Sequence, residues 1–299
     1  MKLEGIATFV SVVESGSLSE AARRLRVSRS VVSERLVELE KTLGTSLLQR
    51  TTRKLTVTED GKAFLARAIR ITREVEEATA DLAERRGSLS GPLRISAPVT
   101  FGRMHLGPAL YSFLALHPEI RLTLDLNDRR VDANADGFDA VIRHGSIADS
   151  YLVAWRLATS RRVLVAAPSY VAQSGQPTSP AELEGHRGIF YMNRGRADWR
   201  FVQQGQTTVV HGRSGLVLNN GDMMRDSAIA GLGIALLPMF IVGDALRSGV
   251  LITIDIGIEA ETEFIYIAHP DGQRPSAKLR ALAVWLREAF GSPPYWDAT

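Results

Sequence analysis

The stretch GSLSEAARRLRVSRSVVSERLVELEKTLG, residues 16–44, decides the first part of the fold. Gly16 ends whatever helix precedes it. Ser17 followed three residues later by Glu20 reads as a capping box that opens a new helix. Ala21, Ala22 and Leu25 give that helix a short, small face, which another helix can cross closely. Arg26-Val27-Ser28 reads as a turn. A further helix, from Arg29 or Ser30 to Leu43, carries Val32, Leu36, Leu39 and Leu43 on one stripe, and Gly44 stops it. Two helices joined by a turn of about three or four residues, the second with a polar outer face, have the geometry that lays a helix in a DNA major groove.

On the N-terminal side, Leu3, Ile6, Phe9, Val10 and Val13 recur at helical spacing. Glu4, Ser11 and Glu14 interrupt them, so this is no signal-peptide core. On the C-terminal side, Leu47-Leu48-Gln49 and Thr56-Val57-Thr58 can pair as two short strands, with residues 50–54 as the tip of a wing. With Val32 and Leu36 turned inward, Arg29, Ser30, Val31, Ser33, Glu34 and Arg35 are the candidates for DNA contact on the helix. Serine donates or accepts, a valine methyl touches a thymine methyl, and a glutamate accepts from cytosine N4. Arg50, Arg53 and Lys54 on the wing suit phosphates, which position the protein without carrying sequence information.

Thr58 caps a long helix with Glu59 and Asp60 in its first turn. Phe64, Ala68, Ile71, Val75, Ala78 and Leu82 follow as a heptad seam, the pattern of a dimerising helix. A helix of roughly 28 residues is about 40 Å long. Gly87-Ser88-Leu89-Ser90-Gly91-Pro92 breaks it and reads as a hinge. This gives a DNA-binding domain over 1–58, a linker helix and hinge over 59–91, and a body over 92–299.

Charge follows the same division. Residues 1–90 carry 16 Lys and Arg against 13 Asp and Glu, while 91–299 carry 20 of each, so the net charge of +3 sits in the N-terminal piece. Arg23, Arg24, Arg26, Arg29 and Arg35 crowd one short segment, an electrostatic footprint for phosphate. No stretch approaches about eighteen uninterrupted apolar residues, which excludes a membrane-spanning helix. The chain has no cysteine, which excludes disulfides and thiolate chemistry and suits a reducing compartment, the cytoplasm. Six scattered histidines show no metal-ligand spacing, and no nucleophile elbow or Walker loop occurs. Gly231-Leu232-Gly233 lacks the third glycine of a dinucleotide fingerprint and reads as a tight turn. The expectation is therefore no enzyme activity, no metal and no cofactor.

The body alternates short strands with helices, which predicts an α/β fold with a largely parallel sheet. The strands are read at 93–96, 122–126, 140–142, 162–167, 188–191, 216–218, 234–237 and 264–268. Helices are read at 103–116, 222–230 and 276–290. In such folds a ligand lies beyond the carboxyl ends of strands. The candidates there are Thr100, Phe101 and Gly102, then Asn127 and Asp128, Arg143 and His144, and Asn220 and Asp222. Backbone N–H groups over residues 98–102, with the Thr100 hydroxyl, form an expected anion site, and Phe101 is placed to pack on a ligand ring.

Phe9, Val12, Glu14, Gly16-Ser17-Leu18, Ala21-Ala22, Leu25, Ser28, Ser33, Leu36, Leu39-Glu40 and Leu43-Gly44, followed by LLQRTTRKLTVTEDG over 47–61, resemble the LysR-type transcriptional regulators. The chain departs from that family at Arg29-Ser30, where Gln-Pro or Gln-Ser is frequent, and at Glu34, where a basic or polar residue is common. GPLRISAPVTFGRMHLGPAL (91–110), GFDAVIRHG (137–145) and AGLGIALLP (230–238) resemble the family's co-inducer domain. The resemblance implies a winged helix-turn-helix, a linker helix and a two-lobed body like the type 2 periplasmic-binding proteins. Lobe I would span 92–161 and 266–299, and lobe II 162–265. It implies a cytoplasmic regulator that binds double-stranded DNA, dimerises through the linker and forms a homotetramer. A small-molecule effector, a small anion or carboxylate, would sit between the lobes, with RNA polymerase as a further partner. The competing reading of the body is a solute-binding protein of a transport system.

Overall fold

Ser17 and Ser28 set the architecture of the head. Helices α1 (Leu3–Ser15), α2 (Leu18–Leu25) and α3 (Arg29–Leu43) are separated by Gly16 and by the turn at Arg26. Ser17 Oγ accepts from Glu20 N at 3.4 Å and Ser28 Oγ from Val31 N at 3.3 Å, so each helix opens on a side-chain cap. The expected capping box forms only by half, because the Glu20 carboxylate pairs with Arg23 and Arg24 instead of turning back on Ser17. Strands β1 (Leu48–Arg50) and β2 (Leu55–Val57) pair antiparallel as the wing, and α4 (Glu59–Glu84) follows, with Gly61 N donating to Thr58 Oγ1 at 2.9 Å. Phe9, Val12, Val32, Leu36, Leu39, Leu47 and Ala68 form the head's core.

A computed structural model describes residues 1–50, 55–84, 88–129, 133, 137–145, 151–194, 199–203, 205–272 and 274–298. The chain divides into two units, Met1–Pro92 and Leu93–Thr299.

The body opens with β3 (Gly91–Ala97), α5 (Val99–Phe101), a π-helical turn over Gly102–Leu106 and α6 (Gly107–Leu116). Then come β4 (Ile120–Leu126), β5 (Ala140–His144), β6 (Leu152–Ser160) and β7 (Arg162–Ala166). Next are α7 (Pro168–Ser174), α8 (Pro180–Leu183), β8 (Arg187–Tyr191), β9 (Arg200–Gln203), β10 (Gln206–Val209) and β11 (Arg213–Leu218). The last elements are α9 (Gly221–Ile229), β12 (Ile234–Pro238), α10 (Met239–Arg247), β13 (Ile252–Thr253), β14 (Glu259–Ala260), β15 (Glu263–Pro270) and α11 (Ala277–Phe290), with a closing 3-10 turn at Tyr295–Asp297.

Two five-stranded sheets make two lobes, ordered β4-β3-β5-β15-β6 and β11-β8-β12-β7-β13, and β10-β9-β14 form a small third sheet. The sheets are mixed rather than largely parallel. The pairs β3–β5, β8–β11 and β8–β12 are parallel, whereas β5–β15, β6–β15 and β7–β12 are antiparallel. The reason is the double crossing between lobes. The chain passes from β6 directly through Arg161 into β7, and returns between Ala260 and Glu263, so each lobe receives a strand that no βαβ unit dictates. The lobe boundary expected from the sequence falls at 265–266, but Glu263 already pairs with Ser160.

Candidate functional site

On α3, Arg29, Ser30 and Glu34 are exposed, Val31, Ser33 and Arg35 are half-buried, and Val32 and Leu36 are fully buried. All six candidates thus lie on the first two turns, away from the core. Ser30 Oγ lies 2.7 Å from Ser28 Oγ, which ties the start of the helix to its cap. Glu34 makes no ion pair with Arg35 among the described residues. The wing is fastened by a residue that the spacing gave no reason to notice. Glu40 Oε1 accepts from Leu47 N at 2.7 Å, Leu48 N at 3.1 Å and Ser46 Oγ at 3.2 Å. Arg53, Lys54 and the Arg50 side chain lie outside the described residues.

The heptad seam divides. Ala68 is fully buried and Phe64 packs on Phe9 with ring centroids 5.8 Å apart, so both belong to the head's core. Ile71, Val75, Ala78 and Leu82 are exposed. The outward seam starts at Ile71.

In the body a cavity of about 680 Å³ lies between the lobes, within the range of small-molecule sites. Thr100, Phe101, Asn127, Asp128, Arg143 and His144 line it, brought together from α5 and the ends of β4 and β5. Asn220 and Asp222 do not line it but bind the lobes to each other. Asn220 Nδ2 donates to Asp128 Oδ2 at 3.0 Å, Thr100 Oγ1 donates to Asp222 Oδ2 at 3.1 Å, and Arg103 Nη2 lies 2.7 Å from Asp222 Oδ1. Part of the expected anion site is therefore occupied from within: Val99 N donates to Asp128 Oδ1 at 2.9 Å, and the Thr100 hydroxyl serves Asp222. Gly102 is a packing position. A Cβ there would run into the Leu126 side chain, because the π-helical turn lies directly on β4. Phe101 is likewise held in an aromatic cluster with Phe240, Phe290 and Trp296, at 5.3, 5.5 and 6.0 Å between centroids. It is almost wholly covered, which leaves little of its face for a ligand ring.

The strongest electrostatic feature of the cleft gathers at the crossing strands, where the expected His144 meets Glu263, Arg162 and Arg194, three residues that no sequence motif marks. Glu263, at the start of β15, is grasped by Arg194 through both carboxylate oxygens and lies 3.8 Å from Arg162 and 3.1 Å from His144 Nε2. Burial pushes the Glu263 carboxyl up, but the surrounding cationic groups hold it below the usual carboxylate range. Burial pushes His144 down to about 4; Glu263 opposes this, while Arg194 and Arg162 add to it. At neutral pH His144 is therefore uncharged, and its Nε2 lies 2.8 Å from Ser160 Oγ and 3.1 Å from Glu263 Oε2, so in the Nε2–H tautomer one proton is shared between the two. Among the described residues of the cavity wall, five arginines face three carboxylates. Arg194 and Arg162 both lie on Glu263 and Arg200 lies on Glu261 at 2.7 Å, so arginine outnumbers carboxylate on the described wall as a whole. No group of acids and histidines among the described residues is arranged to hold a metal ion.

A polar helix face presented beside a wing, and a ligand-sized cleft in a two-lobed body, define a DNA-binding regulator with a sensing domain. Sequence comparison makes this specific. Residues 3–62 match the pattern described as "Bacterial regulatory helix-turn-helix protein, lysR family", and residues 86–291 match the "LysR substrate binding domain". The chain belongs to the LysR family of transcriptional regulators, whose members are DNA-binding proteins and not enzymes. It is 34% identical to an uncharacterized HTH-type transcriptional regulator of Haemophilus influenzae, over 95% of this chain and 99% of that one. It is 31% identical to an HTH-type transcriptional repressor of Pseudomonas aeruginosa, over 98% and 93%. Its fold is similar to the full-length Vibrio cholerae virulence activator AphB, with a TM-score of 0.61, 27% identity and coverage of 96% and 98%.

Proposed function

We propose that two heads bind an imperfect palindrome, each laying α3 in a major groove with the wing on the flanking phosphates, and that a small anionic effector in the cleft tunes this binding. The chain acts in the cytoplasm as a homodimer through the exposed half of the α4 seam, and as a homotetramer of two such dimers. Contact with RNA polymerase is part of the same proposal. The observation that carries the effector class is the cationic excess of the cleft wall, five arginines against three carboxylates among the described lining residues, beside apolar wall residues such as Leu152, Ile241 and Phe264. A carboxylate attached to a small carbon skeleton fits both features. Relatives include both a repressor and an activator.

The test is a thermal-shift and calorimetric screen of small mono- and dicarboxylates against matched amines and neutral amides. Carboxylates that bind, and that change a gel-shift on the chain's own upstream DNA, support the reading. Binding confined to amines or uncharged compounds would remove it.

A further inference from the structure

The five arginines between residues 23 and 35 divide by their partners. Arg23 pairs with Glu20, and Arg24 lies 3.9 Å from Glu14 and 3.7 Å from Glu20. Among the described residues no carboxylate pairs with Arg26, Arg29 or Arg35. Of the five, the arginines without a carboxylate partner among the described residues thus lie at the turn and on α3, not on α2.

Arg26 stands out within that set. Its φ is +54°, and it is the one non-glycine residue with positive φ among the described residues. A Cβ is strained in this left-handed region, which glycine adopts freely. The head itself supplies the comparison. Helices α1 and α3 end in the same conformation on Gly16 and Gly44, at φ +65° and +71°. Only α2, whose end forms the turn into α3, closes on an arginine. The backbone there does what any C-cap does: the Arg26 N–H donates to the carbonyls of Ala22 and Arg23. The side chain is exposed and has no partner among the described residues. No side-chain contact among the described residues accounts for an arginine here, yet the backbone bears it at a strained position. It stands two residues before the Ser28 cap of α3, beside the positive end of that helix's dipole.

We propose that Arg26 is a DNA-phosphate contact, gripping the backbone at the edge of the groove that α3 enters, while Arg23 and Arg24 serve the fold of α2. This rests on the head being the DNA-binding unit. The contact is sequence-independent, so it is read on any duplex.

The test uses the full chain and a fluorescein-labelled duplex of random sequence, with anisotropy followed over a potassium chloride series. Arg26→Gly places at the end of α2 the residue that ends α1 and α3, so its melting temperature should match or exceed that of the unsubstituted protein. The slope of log affinity against log salt should become shallower by about 0.9 for each head engaged. Arg26→Lys should restore most of it. The double variant Glu20→Gln, Arg23→Gln removes a charge pair without net change and should keep the original slope. A steep original slope left unchanged by Arg26→Gly would overturn the role of Arg26 alone. So would a drop in melting temperature for Arg26→Gly, or an equal loss of slope in the double variant. A flat slope in the unsubstituted protein would overturn the DNA-binding head with it.

Discussion

Glu40 accepts two backbone N–H bonds and one hydroxyl bond at the point where α3 hands over to the wing. Leu47 and Leu48 are buried, so without the carboxylate their amides face no water. Glu40→Ala should cost the head about 2 kcal/mol, the range for a charged acceptor removed from buried donors, and Glu40→Gln should recover about half. Far-ultraviolet unfolding curves of the two variants measure this, and an unperturbed Glu40→Ala curve would mean that the amides find other partners. His144 is the second residue-scale case. Its folded pKa, about 4, lies below the unfolded value near 6.5, so the unfolded chain binds the extra proton. The stabilisation is complete above pH 6.5 and disappears as pH falls toward 4, amounting to about 3 kcal/mol. Glu263 is also depressed and acts in the same direction at still lower pH. All four tryptophans lie beyond residue 92, so their fluorescence follows unfolding of the body alone. Urea midpoints should decline from pH 7 to pH 4.5, and His144→Gln should flatten much of that decline. Constant midpoints for the parent protein would contradict a neutral buried imidazole.

At the scale of elements, α4 is one helix with two uses. Its first turns close the head's core through Phe64 and Ala68, and its later turns expose Ile71, Val75, Ala78 and Leu82. Ile71→Asp should therefore raise the dimer dissociation constant at least tenfold in sedimentation equilibrium, while leaving the head's far-ultraviolet spectrum intact. A variant as dimeric as the parent would assign pairing to the body. The helices of the head were legible because their caps and apolar stripes are local, and Gly16, Ser17, Ser28 and Gly44 all stand where the spacing puts them. The body was legible only in part. Strand β6 runs from Leu152 to Ser160 without period-two alternation, since its first half is an exposed edge and its second half is buried. Strands β13 and β14 are two residues each, too short to carry any pattern. The cleft shows the same limit. Residues that follow a strand end could be named in advance, but Arg194 meets Glu263 across 69 positions through a crossing that local spacing does not encode.

For the whole molecule, the question is which arrangement of the lobes the effector selects. Asp222 receives Thr100 and Arg103 from lobe I while Arg225 on its own helix holds it at 3.1 Å, and Asn220 reaches Asp128 beside it. These bonds hold together the two walls that enclose the cavity, so the latched arrangement is the one that offers a ligand both walls. An effector shifts the equilibrium only by its differential affinity for the two arrangements. With the latched arrangement as the competent state, apparent affinity scales with the fraction of molecules that remain latched. Asp222→Ala removes two cross-lobe partners, on the order of 1–2 kcal/mol, and should weaken effector binding by about five- to thirtyfold. Saturating effector should bring the variant back to the DNA affinity of the saturated parent, because the bound state itself is unchanged. The measurement pairs calorimetry of a carboxylate from the screen with gel-shift at matched saturation. Unchanged effector affinity would show that the latch does not set the competent population. A DNA response still missing at saturation would show that Asp222 acts in the bound state itself and not on the balance between states.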